Sequence, residues 1–178
     1  YNAMIDHIKQ IKQNADYLRL SLIRNQAEGI IHAAQIDKPS YLDYTHNLLE
    51  QEVQQRKRSD LERRMKLARL PRHNDLANYD YKVSNSISEK QMKELRQMLW
   101  VEQVYNLVLM GPSGTGKSFI AAGLVNEGVA KGYKAYFTTM EDLINILRMK
   151  EITANALSTY NRYLKAHLIA IDDIMLFP

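Results

Sequence analysis

The stretch Gly111-Pro112-Ser113-Gly114-Thr115-Gly116-Lys117-Ser118 constrains this chain more than any other. It is a G-x-x-x-x-G-K-[ST] loop without a mismatch. Before it, Asn106-Leu107-Val108-Leu109-Met110 is short and apolar and predicts a buried parallel strand. After it, Phe119 to Val125 predicts a helix packed against a sheet. Glycines let backbone N–H groups turn towards phosphate oxygens without a Cβ clash, and the helix N-terminus adds partial positive charge. The expected nucleotide-binding residues are Gly111, Pro112, Ser113, Gly114, Thr115, Gly116, Lys117, Ser118 and Phe119. Lys117 would reach the β- and γ-phosphates and act in catalysis, and the Ser118 hydroxyl would ligate Mg²⁺. The ligand this predicts is a nucleoside triphosphate, ATP with Mg²⁺.

A second stretch completes that chemistry. His167-Leu168-Ile169-Ala170-Ile171-Asp172-Asp173 is an apolar strand ending in two carboxylates, some 55 residues after the loop. An aspartate at the carboxyl end of a parallel strand can hold Mg²⁺ through its water shell, which assigns Asp172 to the metal. The next carboxylate points differently and can polarise an attacking water, which makes Asp173 the candidate base. The expected fold is α/β, a parallel sheet with helices on both faces, behind an all-α N-terminal region. Between the two motifs lie a strand at Tyr133–Thr138, a helix capped by Thr139 with Asp142, and a short helix over about 154–164. The five histidines show no metal-ligand spacing, and His167 reads as structural.

Charge divides the chain. Residues from 75 onward carry eleven basic and eleven acidic side chains, whereas those before carry thirteen against nine. The excess is densest from Arg56 to Arg72 and points to a polyanionic partner, nucleic acid first. The candidate contacts are Arg56, Lys57, Arg63, Arg64, Lys66 and Arg69. They sit on a long helix predicted over 41–70, capped by Ser40 with Asp43 and stopped by Pro71. Its first half has an apolar face of Leu42, Thr45, Leu48, Leu49 and Val53, expected to face a core. Its second half has a thin stripe of Leu61, Met65 and Ala68, with Arg63, Lys66 and Arg69 on the other side. That arrangement suits phosphate contacts and equally suits a solvated helix carrying pairs such as Glu62–Lys66.

Two more helices precede it, one from Met4 to about Ala15 with Ile5, Ile8 and Ile11, and one over about 17–36. The division expected is an all-α domain over 4–70, a linker over 71–87 that includes Ser84-Asn85-Ser86, and a nucleotide domain over 88–178. Within the linker, Tyr79-Asp80-Tyr81 reads first as a packing anchor and second as an aromatic clamp near an adenine. Ser88 with Gln91 offers a capping box for a helix to about Trp100. No stretch approaches a membrane span, and the lack of cysteine fits a reducing compartment, so the expected location is the cytoplasm.

Taken together these stretches resemble the IstB/DnaC-like branch of the AAA+ ATPases, and within it the transposition helpers of the IstB type. The likeness rests on Arg63-Arg64-Met65-Lys66-Leu67-Ala68-Arg69-Leu70-Pro71, Tyr79-Asp80-Tyr81, the phosphate loop, Tyr133-Lys134-Ala135-Tyr136-Phe137 and Ile171-Asp172-Asp173. The resemblance implies an AAA+ ATPase that forms an ATP-dependent homo-oligomer on double-stranded DNA and works with a transposase. A replicative helicase loader of the same branch, or a nucleotide-switched DNA-binding scaffold with negligible hydrolysis, are the alternatives. It also moves the basic helix towards DNA contact. Members of that branch continue beyond the position of Ile174-Met175-Leu176-Phe177-Pro178 with a sensor strand, an arginine finger and a helical lid. The sensor strand lies between the other two motif strands, so the resemblance implies a longer protein, a sheet short of one strand here and weak turnover by this stretch alone.

Overall fold

A computed structural model of the chain describes residues 2–82 and 87–174, with side chains from residue 6 onward. Ile5, Ser84–Ser86 and Met175–Pro178, invoked above, therefore lie outside the described residues or side chains. The chain is a mixed α/β protein with a helical N-terminal region and a parallel sheet. It divides into two compact units, Tyr1–Glu62 and Arg63–Pro178.

The first unit contains α1 (Asn2–Tyr17), α2 (Ser21–Asp37) and most of α3 (Tyr41–Ala68). Ser40 opens α3 as expected: its Oγ accepts from the Asp43 N–H at 3.1 Å and donates to the Asp43 carboxylate at 2.6 Å. The expected core face of α3 is not buried. Leu42, Leu49 and Val53 are 79%, 54% and 44% exposed, Thr45 is exposed and Leu48 only half-buried. The buried residue is Glu52, whose carboxylate accepts from the N–H groups of Leu22 and Ile23 at 2.9 and 3.2 Å and from Ser21 Oγ at 3.4 Å. Leu20, at the N-cap of α2, has no side chain able to satisfy those donors. α3 therefore turns its acid towards α2, and the face that carries Leu42 and Leu49 two turns apart is exposed.

The second unit is built on α6 (Lys117–Ala130) and two parallel strands, β1 (Ala135–Thr139) and β2 (Leu168–Asp172), paired Ala135↔Leu168 through Thr139↔Asp172. The left-handed Gly132 (φ 98°) turns the chain from α6 into β1. α6 packs along both strands, and seven of its residues are buried. Gly128 gives the closeness: a Cβ there would lie 3.3 Å from Ala135 Cβ and 3.7 Å from Leu168 Cδ2. α7 (Met140–Met149) and α8 (Ala154–Tyr163) complete the βα units, opened by Thr139 accepting from Asp142 N–H and Thr153 from Ala156 N–H. Tyr136, Ile146 and Tyr163 form the core between them, with Leu67 of α3 against it.

Residues 106–110 are not the buried strand the sequence predicts. They have no strand assignment, and Val108 and Met110 are 74% and 85% exposed. An apolar run becomes a strand only when a neighbour completes its ladder of N–H and C=O bonds. No strand among the described residues runs beside this one. The helix expected from Ser88 to Trp100 is likewise broken into α4 (Glu89–Arg96) and α5 (Leu99–Glu102). Its Ser88–Gln91 capping box is present, but fully buried Met98 adopts φ 65° between the two, and Trp100 Nε1 donates to the Leu95 carbonyl at 2.9 Å.

Residues 64–82, the end of α3 and the irregular stretch after it, form a strap along α6 from its C-terminal end to its N-terminal end. At the end of α3, Arg64 Nη1 donates to the Val129 carbonyl at 2.6 Å. Further on, Asn126 Nδ2 bonds Asn74 Oδ1 at 2.9 Å. Leu76, in a single 3₁₀ turn (Leu76–Asn78) capped by Asp75, presses on Gly123. Tyr79 then reaches Gly116 and Phe119. The strap thus touches α6 at 129, 126, 123, 119 and 116, one face of the helix at spacings of three and four.

Candidate nucleotide site

Three loop glycines take the backbone where side chains rarely go, with φ of 153° at Gly111, 80° at Gly114 and 85° at Gly116. Gly116 is the N-cap of α6 and offers no side-chain cap, so the first N–H groups of that helix have no local side-chain acceptor. Thr115 Oγ1 donates to the Pro112 carbonyl at 2.9 Å, which closes the loop on itself. Lys117 Nζ donates to the carbonyls of Gly111 and Pro112 at 2.9 and 2.6 Å, and so folds over the loop rather than away from it. Pro112, Ser113 and Ser118 are exposed, and Phe119 is half-buried against Tyr79. Glycine-rich backbone ahead of a helix N-terminus, with a lysine over it, makes the loop a candidate anion cradle.

The two carboxylates follow from β2. Asp172 is its last residue, opposite Thr139, and half-buried. Asp173 is exposed and adopts φ 58°, a left-handed conformation that aspartate tolerates better than most residues. The chain leaves the strand at that residue. Neither is in a salt bridge or side-chain hydrogen bond among the described residues. Direction along α6 relates the loop to them. Gly128, near the end of α6, sits against Leu168 and Ala135, which begin the two strands. From Gly128 back to Ser118 is about 15 Å of helix at 1.5 Å per residue. From Leu168 to Asp172 is about 13 Å of strand. The phosphate loop and Asp172 thus lie towards the same, carboxyl end of the sheet, where open α/β sheets bind ligands.

A cavity of ≈ 580 Å³ opens beside the loop, lined by Thr115, Lys117, Ile120, Leu95, Trp100 and Leu109 among others. Tyr79 does not line it: its ring is buried and packs with Tyr81 edge-on at 4.9 Å and with Phe119 at 6.1 Å. That is the packing-anchor reading of Tyr79-Asp80-Tyr81, and the anchor is set on the phosphate loop itself. His167 accepts the Lys134 N–H on Nδ1 at 3.0 Å and edges the Tyr133 ring, a structural role. Tyr133 in turn donates its phenol to Glu102 at 2.7 Å, and that bond pushes its pKa above 10.0.

Of the basic residues, Lys57, Arg63, Lys66 and Arg69 are exposed, as is Arg56, one of whose nitrogens donates to the Arg19 carbonyl at 2.8 Å. Arg64 is half-buried and engages Val129. Leu61 and Met65 are half-buried and Ala68 fully so, which leaves Arg63 and Lys66 on the open side of the helix, whereas α3 ends at Ala68, short of the predicted residue 70, and Arg69 lies just past it with φ 55°. The three belong to the same compact unit as the phosphate loop. Sequence reasoning did not find the Arg64–Val129 and Asn74–Asn126 fasteners, because nothing local marks a side chain that will bond a residue more than fifty positions away.

Known proteins match this chain over most of its length. The sequence profile of the family described as "IstB-like ATP binding protein" matches residues 13–178. A protein of Bacteroides fragilis, "Insertion sequence IS21-like putative ATP-binding protein", is 46% identical over 176 residues, covering 99% of this chain and 67% of its own length. Its namesake from strain YCH46 is 41% identical over 175 residues, covering 98% of this chain and 88% of its own length. "Insertion sequence IS5376 putative ATP-binding protein" of Geobacillus stearothermophilus is 25% identical over 166 residues, 93% of this chain and 66% of that protein. With the phosphate loop, the paired carboxylates and this match over nearly its whole length, the chain belongs to the IstB-like ATP binding protein family.

Proposed function

We propose that this chain binds ATP with Mg²⁺ at Gly111–Phe119, hydrolyses it, and serves DNA transposition as an ATP-switched helper. On this reading it assembles as an oligomer on duplex DNA and works with a transposase in the cytoplasm. The observation that carries the reading is the left-handed glycine loop on an uncapped helix, with Asp172 and Asp173 in no ion pair among the described residues at the carboxyl end of β2. The names of the relatives, insertion-sequence ATP-binding proteins, supply the transposition context.

The chemistry follows from the donors. Gly114, Gly116 and the first turn of α6 offer N–H groups to the phosphates, and Lys117 exchanges its two loop carbonyls for phosphate oxygens. Ser118 Oγ and the Asp172 carboxylate are hard oxygen donors of the kind magnesium takes, one or two from protein and the rest from phosphates and water. The ion supplies neutralisation of the developing phosphate charge. Asp173 accepts a proton from water as the water oxygen attacks the γ-phosphorus, and the bond to the ADP oxygen breaks. Exposed Arg56, Lys57, Arg63, Lys66 and Arg69 neutralise DNA phosphates.

Nucleotide and duplex-DNA binding, measured with and without ATP·Mg²⁺ over a salt series, tests the reading. Lys117→Ala is expected to lose nucleotide affinity and ATP-stimulated DNA binding. Asp173→Asn is expected to keep nucleotide binding and lose about 100-fold or more in turnover. DNA affinity is expected to fall steeply with salt, and Arg63→Ala with Lys66→Ala to flatten that slope. DNA binding indifferent to nucleotide in the wild type would overturn the switch. Unchanged turnover in Asp173→Asn would remove that residue as the base.

A further inference from the structure

Tyr79 is the last tooth of the strap that runs along α6, and it stands under the phosphate loop. Its ring is 8% exposed, and a methyl group at Gly116 would come 3.5 Å from its Cε2. Its other side lies near-parallel to Phe119, at 28° and 6.1 Å between centroids, and Tyr81 closes the edge at 4.9 Å. Beneath it are Leu76, Met92, Met98, Ile120 and Leu124, each no more than 4% exposed. Its backbone is fixed too, since Tyr79 N–H bonds the Leu76 carbonyl at 3.2 Å in the Asp75-capped turn.

Gly116 needs such support. Its φ of 85° aims the loop N–H groups, yet glycine has the broadest conformational freedom of any residue and no side chain to lock it. No side-chain cap fixes the start of α6 either. A binding loop delivers affinity only if its donors are held in place before the ligand arrives. A flat ring against the glycine and the third helical residue after it is such a brace, and aromatic pairs hold orientation as well as area.

We propose that Tyr79 is a positioning residue for the phosphate loop: its ring holds Gly116 and Phe119, and through them the first turn of α6, in the phosphate-accepting conformation. The proposal rests on the nucleotide reading of that loop for its purpose, but the bracing itself is a property of the protein without nucleotide.

The test is amide hydrogen exchange across residues 114–121 in the nucleotide-free chain, paired with ATP·Mg²⁺ affinity, for wild type, Tyr79→Phe and Tyr79→Leu. Ile120 N–H, bonded to the Gly116 carbonyl at 2.9 Å, is the direct reporter. Tyr79→Leu keeps apolar bulk and loses the plate. It is expected to speed exchange at Ile120 about tenfold or more while amides of β1 stay protected, and to weaken nucleotide binding about tenfold. Tyr79→Phe keeps the plate and is expected to lie closer to wild type than Tyr79→Leu on both readouts. Wild-type exchange and affinity in Tyr79→Leu would overturn the proposal and leave the nucleotide site standing. Loosened amides with no nucleotide binding by any variant, wild type included, would support the brace and sink the nucleotide reading. If Tyr79→Leu does not fold, Phe119→Leu removes the other half of the stack, and unchanged Ile120 exchange there overturns the proposal.

Discussion

Gly123→Ala tests whether the strap is pressed as tightly on α6 as its geometry says. A Cβ at Gly123 would lie 2.4 Å from both Cγ and Cδ2 of Leu76, more than an ångström inside ordinary carbon–carbon contact. Leu76 cannot easily yield. It is 2% exposed, and its turn is pinned by Asp75 accepting from Ala77 N–H at 2.9 Å and from Asn78 Nδ2 at 3.0 Å. Two opposed effects then set the sign. Overpacking a closed contact costs about 1–3 kcal/mol. Replacing glycine by alanine inside a helix returns about 1 kcal/mol. The clash wins, and a net loss of up to about 2 kcal/mol is expected. Removing Leu76 should reverse the sign. Leu76→Ala alone costs about 2–5 kcal/mol, but with the clash gone, adding Gly123→Ala should stabilise that background by about 1 kcal/mol. The double-mutant cycle therefore carries a coupling of about 1–3 kcal/mol. Urea unfolding followed by tryptophan fluorescence reads it, because Trp100 is the only tryptophan and packs on the core that contains Leu76. The reasoning is refuted if Gly123→Ala stabilises equally with and without Leu76, for then the helix and the strap do not meet.

Other substitutions probe other joints. Glu52→Ala strips the carboxylate that caps α2 from another helix, and a loss of about 2–3 kcal/mol is expected in thermal unfolding of the helical unit followed by circular dichroism. Glu52→Gln keeps an acceptor and should cost less. Tyr163 Oη is buried without a hydrogen-bond partner among the described residues, so Tyr163→Phe should be neutral or stabilise by up to about 1 kcal/mol. A clear loss in that variant would reveal a partner for the hydroxyl. Because the bond to Glu102 keeps Tyr133 protonated above its ordinary pKa, its stabilising contribution is fully present below about pH 10 and fades as pH rises through the raised value. Phenolate absorbance should show Tyr133 ionising earlier in Glu102→Gln than in wild type.

Local chemistry made much of the chain legible. The caps at Ser40, Ser88 and Thr139 are each one side chain accepting a nearby N–H, and each stands where the residue types put it. β2 came within a residue of its expected ends and β1 within two, because both are apolar runs bounded by turn or cap residues. The phosphate loop is legible for a similar reason: its conformation requires glycine at fixed positions, so composition and geometry are nearly the same statement. The misreadings involve partners. Leu42, Leu49 and Val53 have the spacing of a core face, but spacing cannot say which face a neighbour will take, and the uncapped end of α2 drew Glu52 inward instead. Residues 106–110 have the composition of a strand without a strand to pair with among the described residues.

By itself, then, the sequence determined where helices and strands can begin, which loop can hold phosphate and which carboxylates follow a strand end. Those are decisions within a few residues, settled by φ preferences, capping and periodicity. Only the tertiary structure decided that Arg64, Asn74, Leu76 and Tyr79 form one strap along α6, that Gly123 is small because Leu76 lies on it, and that Lys117 rests on Gly111 and Pro112. Contacts such as Arg64 to Val129 join residues 65 positions apart. Their energy depends on where the chain brings surfaces together, and no local pattern records that.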